Sequence, residues 1–188
     1  MKRTAFLDRD GTLNREVSFV SQREQLEVLP GVVPALHRLH DAGYHIVVVT
    51  NQSGIASGLY SECDLARIHE LLHERLDHLP LAYLHCPHHP DGGHGYGGPC
   101  DCRKPLAGLL HQARTLLGRA FDVQFDGAVL IGDSARDLLM ARGLPLTTIH
   151  VHSGKPAGPE REAMRAAGFT PDFEAADLAA AVHWLLSH

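Results

Sequence analysis

A run of consecutive β-branched residues within His45–Thr50 constrains the fold of this chain more than any other feature. The run reads Ile-Val-Val-Val and is followed by the polar pair Thr50-Asn51. A strand with one face in water alternates apolar and polar residues, whereas a continuous apolar run fits a strand buried on both faces. Such strands occur in parallel sheets that are covered by helices. The run therefore predicts an α/β protein.

Strand-like and helix-like segments alternate along the rest of the chain. Further strands are predicted at Thr4–Asp8, Leu81–His85, Ala128–Gly132 and Thr147–Val151. Helices are predicted at Val32–Ala42, from a capping box at Ser61–Asp64 towards His78, and at Leu106–Leu117, Ala135–Arg142, Glu160–Ala167 and Ala175–Leu186. This alternation indicates a Rossmann-like parallel sheet flanked by helices. A length of 188 residues suits one domain that spans residues 1–188.

Charge and hydropathy narrow the classes of partner. The formal net charge is −5, which disfavours nucleic-acid binding because such proteins need a basic surface to neutralise phosphates. No apolar run approaches the length of a membrane span. The N-terminal segment reaches Asp8 too early for a signal peptide. We therefore expect a cytoplasmic protein that binds neither nucleic acid nor membrane. A monomer is a separate expectation that charge and hydropathy do not decide.

Two carboxylates follow the first predicted strand, in the segment Phe6-Leu7-Asp8-Arg9-Asp10-Gly11-Thr12. Residues two apart in an extended segment point the same way, so Asp8 and Asp10 can face one cavity. Paired carboxylates attract a divalent cation such as magnesium. A carboxylate can also attack phosphorus and form an acyl phosphate. The alternative is a plain Asp10-Gly11 turn after a polar strand end.

Three further segments carry polar residues. Two of them follow predicted strands, at the carboxyl ends where parallel α/β sheets form their sites, and the third precedes a predicted helix. In Thr50-Asn51-Gln52-Ser53-Gly54, a hydroxyl and loop amides can hold a phosphoryl group, although an ordinary loop fits equally. Arg103-Lys104 precedes a helix and suits a phosphate ligand, with a solvated basic pair as the alternative. Asp133 can supply a further magnesium ligand. Asp137 is either a site residue or a charge that favours the helix N-terminus.

In this order, the segments resemble the motifs of the haloacid dehalogenase superfamily of phosphohydrolases. Asp8-Arg9-Asp10-Gly11-Thr12 resembles the first motif, Thr50 the second, Lys104 the third and Gly132-Asp133 the fourth. More narrowly, three segments resemble the branch that contains heptose 1,7-bisphosphate phosphatases and histidinol-phosphate phosphatases: Asn51-Gln52-Ser53-Gly54-Ile55-Ala56, Cys86-Pro87-His88-His89-Pro90 and Cys100-Asp101-Cys102-Arg103-Lys104-Pro105. The resemblance implies the haloacid dehalogenase fold without a large cap domain.

The resemblance also implies a role for each matching residue. Asp8 is the nucleophile, Asp10 the general acid and base, and Thr50 and Lys104 hold the phosphoryl oxygens. Magnesium lies between the Asp8 carboxylate, the Asp10 main-chain carbonyl and Asp133. The implied substrate-binding residues are Asn51, Gln52, Ser53 and Arg103.

The activity implied is magnesium-dependent hydrolysis of a small phosphorylated sugar. The first candidate substrate is a heptose 1,7-bisphosphate, which loses its 7-phosphate on the way to lipopolysaccharide or related glycans. Histidinol phosphate is the alternative, because the motifs do not separate the two. A non-hydrolytic phosphate-binding or zinc-dependent regulatory module is the alternative from another class. The presence of both Asp8 and Asp10 disfavours that module.

Two departures from the heptose phosphatases leave the substrate open. Ser134 stands where those enzymes often have a lysine, so one cation near the phosphate is missing unless Arg136 replaces it. The loop after the first motif reads Glu16-Val17-Ser18-Phe19-Val20, where familiar heptose phosphatases carry an Asp-His-Gly-Tyr type of segment. That loop contributes to substrate binding in the family.

The segment Cys86–Cys102 is a long loop rich in Gly, Pro, His and Cys. Its three cysteines and one histidine would complete a tetrahedral Cys₃His zinc site with a structural role. Reduced thiols or a disulfide are the alternatives, and a cytosolic protein disfavours the disulfide. Spacing does not choose among the histidines at 85, 88, 89 and 94, but the family resemblance selects His88. The implied ligands are Cys86, His88, Cys100 and Cys102.

The fourth cysteine, Cys63, lies within the helix predicted after Ser61. It is far along the chain from the loop that carries the other three. A small buried apolar side chain is the interpretation we adopt for it.

Overall fold

Six parallel strands form one sheet in the computed structural model, which describes residues 3–17, 20 and 22–188. In chain order the strands are β1 (Arg3–Leu7), β2 (Tyr44–Asn51), β3 (Ala82–Cys86), β4 (Ala128–Gly132), β5 (Leu146–Val151) and β6 (Phe173–Ala175). Across the sheet the order is β3-β2-β1-β4-β5-β6. Strand β1 therefore pairs with both β2 and β4, and Leu7 lies opposite Val48 on one side and Ile131 on the other. The predicted α/β fold is confirmed.

Helices connect the strands and cover both faces of the sheet. They are α1 (Val32–Asp41), α2 (Glu62–Arg75), α3 (Gly108–Phe121), α4 (Ala135–Leu138), α5 (Ala157–Ala166) and α6 (Leu178–Ser187), with short 3₁₀ turns at Arg23–Gln25 and Leu139–Ala141. Helix α2 begins at the predicted capping box, in which the Ser61 hydroxyl accepts from the Asp64 amide and the Asp64 carboxylate accepts from the Ser61 amide. Helix α1 ends just before Gly43, whose φ of 82° suits glycine.

The side chains of β2 divide between two apolar layers. Ile46 and Val48 pack with residues of α1, α2 and α6, whereas Val47 and Val49 pack with residues of α3 and α4. All four are fully or almost fully buried. This division explains the unbroken apolar run, because both faces of a central strand lie in the core. The carboxyl ends of β1, β2 and β4 then carry polar residues at the edge of that core.

The predicted helix Glu160–Ala167 begins three residues earlier in the structure, as α5, and three other predicted helices also differ from the observed ones. The segment predicted as one helix at Ala175–Leu186 begins with the end of edge strand β6, and α6 starts at Leu178 after the N-cap Asp177. A three-residue strand is too short to show a periodicity, so the sequence did not reveal it. The predicted helix Ala135–Arg142 divides into α4 and a 3₁₀ turn, and the one predicted at Leu106–Leu117 is displaced towards its C-terminus.

Cys63 lies in α2 as predicted, but it is exposed and not buried. The buried stripe of α2 contains Leu65, Ile68 and Leu72. Cys63 precedes Leu65 by two residues, about 200° around the helix, and therefore faces away from the core. None of the helices in the described ranges has the length and apolarity of a membrane span.

Candidate active site

A cavity of about 210 Å³ lies at the carboxyl ends of β1, β2 and β4, where sites form in parallel sheets. It is lined by Asp8, Asp10, Glu16, Thr50, Asn51, Gln52, Ser53, Tyr60, Arg103, Lys104, Asp133, Ser134, Arg136, Asp137 and Lys155. All residues that the sequence predicted as catalytic, substrate-binding or magnesium-binding are in this list. The structure thus brings together side chains that are more than a hundred residues apart in the chain.

Lys104 joins two carboxylates in the wall of this cavity. Its Nζ donates to Asp8 Oδ1 at 2.5 Å and to Asp137 Oδ1 at 2.7 Å. All three side chains are buried. Burial lowers the pKa of Lys104, but the Asp137 and Asp8 carboxylates outweigh it and raise the pKa above its ordinary value. Lys104 therefore remains a cation beside Asp8.

Three carboxylates, from Asp8, Asp133 and Asp137, converge here, with one oxygen of each within 4.8 Å of the others. Burial and the Asp137 charge raise the pKa of Asp8 to about 7. Burial and the Asp8 charge raise the pKa of Asp133 to about 8. Burial also acts to raise the pKa of Asp137, but the Lys104 charge outweighs it and holds that pKa below its usual value. One lysine does not neutralise three buried carboxylates, and this set of oxygen donors fits a divalent cation such as magnesium.

Asp137 both caps helix α4 and contacts Lys104 in the site. The sequence had left these two roles as alternatives. Its Oδ2 accepts from the Ser134 amide at 3.0 Å and from the Ser134 hydroxyl at 2.6 Å, which completes a capping box for α4. Its Oδ1 accepts from Lys104. Gly132 permits this packing, because a Cβ there would lie 2.5 Å from the Asp137 Cβ. The Ser-x-x-Asp spacing predicts the cap, but the contact with Lys104 depends on tertiary structure.

The Asp10 carboxylate is fixed by a separate set of donors. Arg9 donates Nε to its Oδ2 at 3.1 Å and Nη2 to its Oδ1 at 2.9 Å. Asn14 Nδ2 donates to Oδ1 at 2.9 Å, and Gln52 Nε2 donates to Oδ2 at 3.0 Å. Arg9 is itself buried, and its Nη1 lies 3.2 Å from His69 Nε2. Burial and the Arg9 charge lower the pKa of His69 to about 2, so this ring is neutral and accepts from Arg9.

Gln52 links the first and second motifs. Its Nε2 donates both to Asp10 and, at 2.8 Å, to Thr50 Oγ1. Its Oε1 accepts from the Tyr60 hydroxyl at 2.6 Å. Gln52 thus orients two predicted catalytic residues. Tyr60 lies after the Asn51–Ala56 segment, and no sequence motif marked its individual role in orienting Gln52.

Asn51 and Arg103, both predicted to bind substrate, also hold the protein chain in place. Asn51 Oδ1 accepts from the Lys104 amide at 3.1 Å, and its Nδ2 donates to the Lys104 carbonyl at 3.4 Å. Arg103 Nη1 donates to the His88 carbonyl at 2.9 Å. The end of β2 therefore fixes the backbone that carries Lys104, and Arg103 connects that backbone to the cysteine loop.

The loop after β5 closes the far side of the site, and sequence reasoning missed it. The Lys155 amide donates to Asp133 Oδ2 at 2.8 Å, and the Ser153 hydroxyl donates to the Gly11 carbonyl at 2.7 Å. A Cβ on Gly154 would lie 2.1 Å from Asp133 Oδ2 and 2.6 Å from the Gly11 Cα. Glycine is therefore required at position 154. The Ser-Gly-Lys sequence after a predicted strand was the signal available for this loop.

Four side chains of the Cys86–Cys102 loop form a second cluster of metal-binding type. Cys86 Sγ lies 2.9 Å from Cys102 Sγ and 3.7 Å from Cys100 Sγ, and His88 Nδ1 lies 3.4 Å from Cys102 Sγ. The three cysteines are free thiols and not a disulfide. Burial raises the pKa of the Cys86 thiol, which a soft cation bound to the sulfur would counteract. The structure brings together the four residues that the sequence proposed, and their donor set fits tetrahedral zinc.

The predicted substrate loop Glu16–Val20 is described in part. Glu16 lines the cavity. Ser18 and Phe19 lie outside the described residues, so the role expected for this segment stays a prediction. Arg136, considered as a replacement for the missing lysine, is exposed and also lines the cavity.

Comparison with known proteins identifies the family. A family model described as polynucleotide kinase 3 phosphatase matches residues 3–186. The D-glycero-beta-D-manno-heptose-1,7-bisphosphate 7-phosphatase of Haemophilus ducreyi is 40% identical over 86% of this chain and 89% of its own length. The chain belongs to the haloacid dehalogenase phosphatases. The corresponding Escherichia coli K12 enzyme is 36% identical to this haloacid dehalogenase phosphatase, over 84% of this chain and 83% of its own length.

A solved structure agrees with both fold and family. The D,D-heptose 1,7-bisphosphate phosphatase of B. bronchiseptica, crystallised with magnesium and phosphate, is 34% identical to this haloacid dehalogenase phosphatase. The two structures superpose with a TM-score of 0.79, and the match covers 98% of each chain. The resemblance seen in the sequence motifs is thereby confirmed, together with membership of a family of phosphoric monoester hydrolases.

Proposed function

We propose that this haloacid dehalogenase phosphatase is a magnesium-dependent D-glycero-D-manno-heptose 1,7-bisphosphate 7-phosphatase that forms an aspartyl phosphate on Asp8. The proposed catalytic mechanism rests on one observation: the buried Asp8 carboxylate lies 2.5 Å from the Lys104 ammonium on the wall of a polar cavity. The substrate is supported by relatives of that name at 36–40% identity over most of their length. The product would feed the synthesis of lipopolysaccharide or related glycans.

In the first step, a carboxylate oxygen of Asp8 attacks the 7-phosphoryl group. A bond forms between that oxygen and phosphorus, and the bond from phosphorus to the sugar O7 breaks. The departing oxygen takes a proton from Asp10. Lys104 and Thr50 bind the phosphoryl oxygens, whose charge shifts during transfer.

In the second step, water attacks the aspartyl phosphate and gives its proton to Asp10. Inorganic phosphate leaves and the Asp8 carboxylate is restored. Asp10 thus acts first as an acid and then as a base, which requires that its carboxylate keep one position through both steps. The four hydrogen bonds from Arg9, Asn14 and Gln52 supply that restraint.

Two metal ions complete the proposal. Magnesium would be held by the Asp8 and Asp133 carboxylates and the Asp10 main-chain carbonyl, and when bound it offsets the repulsion between carboxylate and phosphate. Asp137, tied to Ser134 and Lys104, positions the lysine. Zinc would be held by the Cys86, His88, Cys100 and Cys102 side chains, whose four positions leave none open for a catalytic water.

Specificity would come from loops, since the described residues form no large cap domain. Arg103, Arg136 and Lys155 line the cavity together with the catalytic residues. These cations offer a binding site for a second phosphate at the far end of a bisphosphorylated sugar. The further parts of the proposal are a cytoplasmic monomer with a small-molecule phosphate ester as substrate and no nucleic-acid partner.

A substrate panel tests the assignment. We expect the specificity constant kcat/KM to be highest for one anomer of D-glycero-D-manno-heptose 1,7-bisphosphate, and at least about tenfold lower for the 7-monophosphate, which lacks the second phosphate. Ten-fold corresponds to about 1.4 kcal/mol of transition-state stabilisation. Histidinol phosphate and a generic aryl phosphate are the comparison substrates. A higher specificity constant for histidinol phosphate than for either heptose anomer would make the alternative enzyme the correct one.

A further inference from the structure

A third group of metal-ligand side chains lies towards the β6 edge of the sheet, apart from the carboxylates and the cysteine loop. His150 in β5 and His152 just after it are two residues apart, so their side chains point to the same face. Glu174 in β6 lies directly opposite His150 in the strand register. One ligand atom from each of the three residues lies within 4.8 Å of the others.

The hydrogen bonding of His150 leaves one buried ring nitrogen, Nδ1, without a hydrogen-bond donor among the described residues. Its Nε2 lies 3.1 Å from the Asp133 main-chain oxygen. A carbonyl oxygen accepts and does not donate, so Nε2 must carry the proton and Nδ1 of the neutral ring is an acceptor. His150 is 0% exposed, and Nδ1 has no hydrogen-bond partner among the described residues. A buried acceptor without a partner is unfavourable and indicates that a further group belongs there.

The side chains next to His150 Nδ1 indicate the charge of the missing group. Glu174 Oε2 lies 4.0 Å from His150 Nδ1 and 2.9 Å from His152 Nε2. Glu174 Oε2 is too far from His150 Nδ1 for a hydrogen bond, and the same oxygen accepts from Arg161 Nε at 2.6 Å. A lone pair and a carboxylate that face each other call for a cation between them.

The distances and the donor types fit a transition-metal ion. Zinc bonds of 2.0–2.2 Å to nitrogen and oxygen place tetrahedral ligand atoms about 3.4 Å apart, and the two measured separations lie on either side of this value. A metal-binding histidine normally donates its other ring N–H to a carbonyl or carboxylate, as His150 does to Asp133. Imidazole and carboxylate together suit zinc and its neighbours in the first transition series.

We propose that His150, His152 and Glu174 form an additional binding site for zinc or a similar divalent transition-metal ion. Three protein ligands leave a fourth position for water, so the ion would exchange more readily than one held by four. The proposal is independent of the substrate and of the proposed catalytic roles.

Arg161 of α5 would compete with the metal ion for Glu174 and His152. Its Nε donates to Glu174 Oε2 at 2.6 Å, and its Nη2 lies 3.4 Å from His152 Nε2. The Arg161 side chain is 47% exposed, so it can turn into solvent when an ion enters. In the absence of metal, this guanidinium is the positive charge that balances Glu174. Its removal should therefore strengthen metal binding.

The test is a titration of the full-length protein with zinc, after the cysteine loop has been loaded and with excess magnesium present. We expect wild type to bind one further equivalent, and His152→Ala and Glu174→Gln to lose it. Arg161→Gln should bind that equivalent at least about tenfold more tightly. His183→Ala removes an exposed histidine on α6 and is the matched control, which should behave as wild type.

Cobalt(II) provides a second readout that separates this site from the cysteine cluster. The additional equivalent should show visible d–d absorption without thiolate-to-metal charge transfer, because no sulfur is bound. Circular dichroism and the zinc content of the cysteine loop verify the folding of each variant, and His152→Gln replaces His152→Ala if the latter does not fold. The proposal is overturned if wild type binds no further equivalent, or if that equivalent persists unchanged in the His152 and Glu174 variants.

Discussion

At the scale of single residues, the two carboxylates proposed for catalysis, Asp8 and Asp10, differ in their hydrogen-bond partners. Asp8 shares Lys104 with Asp137 and lies close to Asp133, so a single lysine faces three carboxylates there. Asp10 is held by neutral amides and by the buried Arg9. Lys104 and a bound magnesium ion would keep the nucleophile ionised, whereas the hydrogen bonds to Asp10 hold in one position a group that must give and take a proton.

Replacement of Asp8 by asparagine tests the nucleophile. The amide keeps the shape of the side chain, but it cannot form an acyl phosphate and is a poor ligand for magnesium. We expect Asp8→Asn to lose at least about a thousandfold in kcat, which is about 4 kcal/mol. Steady-state kinetics with unchanged far-UV circular dichroism is the measurement. Activity within tenfold of wild type would rule out the mechanism.

Gly154 provides a test of Asp133 in which none of the proposed catalytic or magnesium-binding residues is itself replaced. In Gly154→Ala the new methyl group would lie 2.1 Å from Asp133 Oδ2, so the carboxylate must move. We expect the magnesium concentration for half-maximal activity to rise at least about tenfold, about 1.4 kcal/mol of binding. Gly158→Ala is the matched control, because a Cβ there meets nothing within 4 Å. Equal magnesium dependence in the two variants would contradict the assignment of Asp133.

At the scale of secondary-structure elements, β1, β2 and β4 were predictable because each is apolar and ends in a polar motif. Strand β6 was not, since its three residues are too few to show a pattern. The residues of the active site likewise divide into those that were predictable and those that were not. Its motif residues could be found because they directly follow strands, whereas the contact of Asp137 with Lys104 and that of Tyr60 with Gln52 depend on how the loops fold over the sheet edge.

The cysteine loop is the element whose loss should reduce activity before stability. Cys100→Ser removes one proposed zinc ligand, and the loop then no longer holds Arg103 and Lys104 against the cavity. We expect zinc content to fall and KM to rise at least about tenfold, while the sheet, whose core lies elsewhere, keeps its circular dichroism. The exposed Cys63→Ser is the control for loss of a thiol. Normal zinc content and normal kinetics in Cys100→Ser would refute the structural role of the ion.

At the scale of the whole molecule, the buried carboxylates couple stability to pH and to magnesium. Burial raises the pKa of Asp8 to about 7 and that of Asp133 to about 8, from 3.8 for both groups. Both groups therefore bind protons more tightly in the folded chain than in the unfolded chain. By linkage, their contribution to the free energy of unfolding becomes less favourable as pH rises from about 4 to about 8.

We accordingly predict that the magnesium-free protein, with its zinc retained, loses thermal stability between pH 5 and pH 8 (roughly the window set by these shifts). Added magnesium should raise Tm most at the upper end of this range, because it binds the ionised carboxylates of the folded state. Asp133→Asn, which removes one of the repelling charges, should show a weaker pH dependence and a smaller response to magnesium. Differential scanning calorimetry with and without magnesium measures both. A magnesium effect that is equal at pH 5 and pH 8 would contradict the coupling.

The extent of the domain over residues 1–188 and the monomeric state stay predictions.

The attachment of the cysteine loop has a consequence for evolution. With zinc bound as proposed, the ligands Cys86 and His88 at one end and Cys100 and Cys102 at the other would fix the backbone on which Lys104 lies, together with the hydrogen bonds from Asn51. Residues 89–99 lie between these anchor points and do not set the position of the lysine. Insertions, deletions and substitutions in that segment can therefore accumulate in descendant lineages without disturbing phosphoryl transfer. New substrate preferences can arise there while the reaction itself is inherited unchanged.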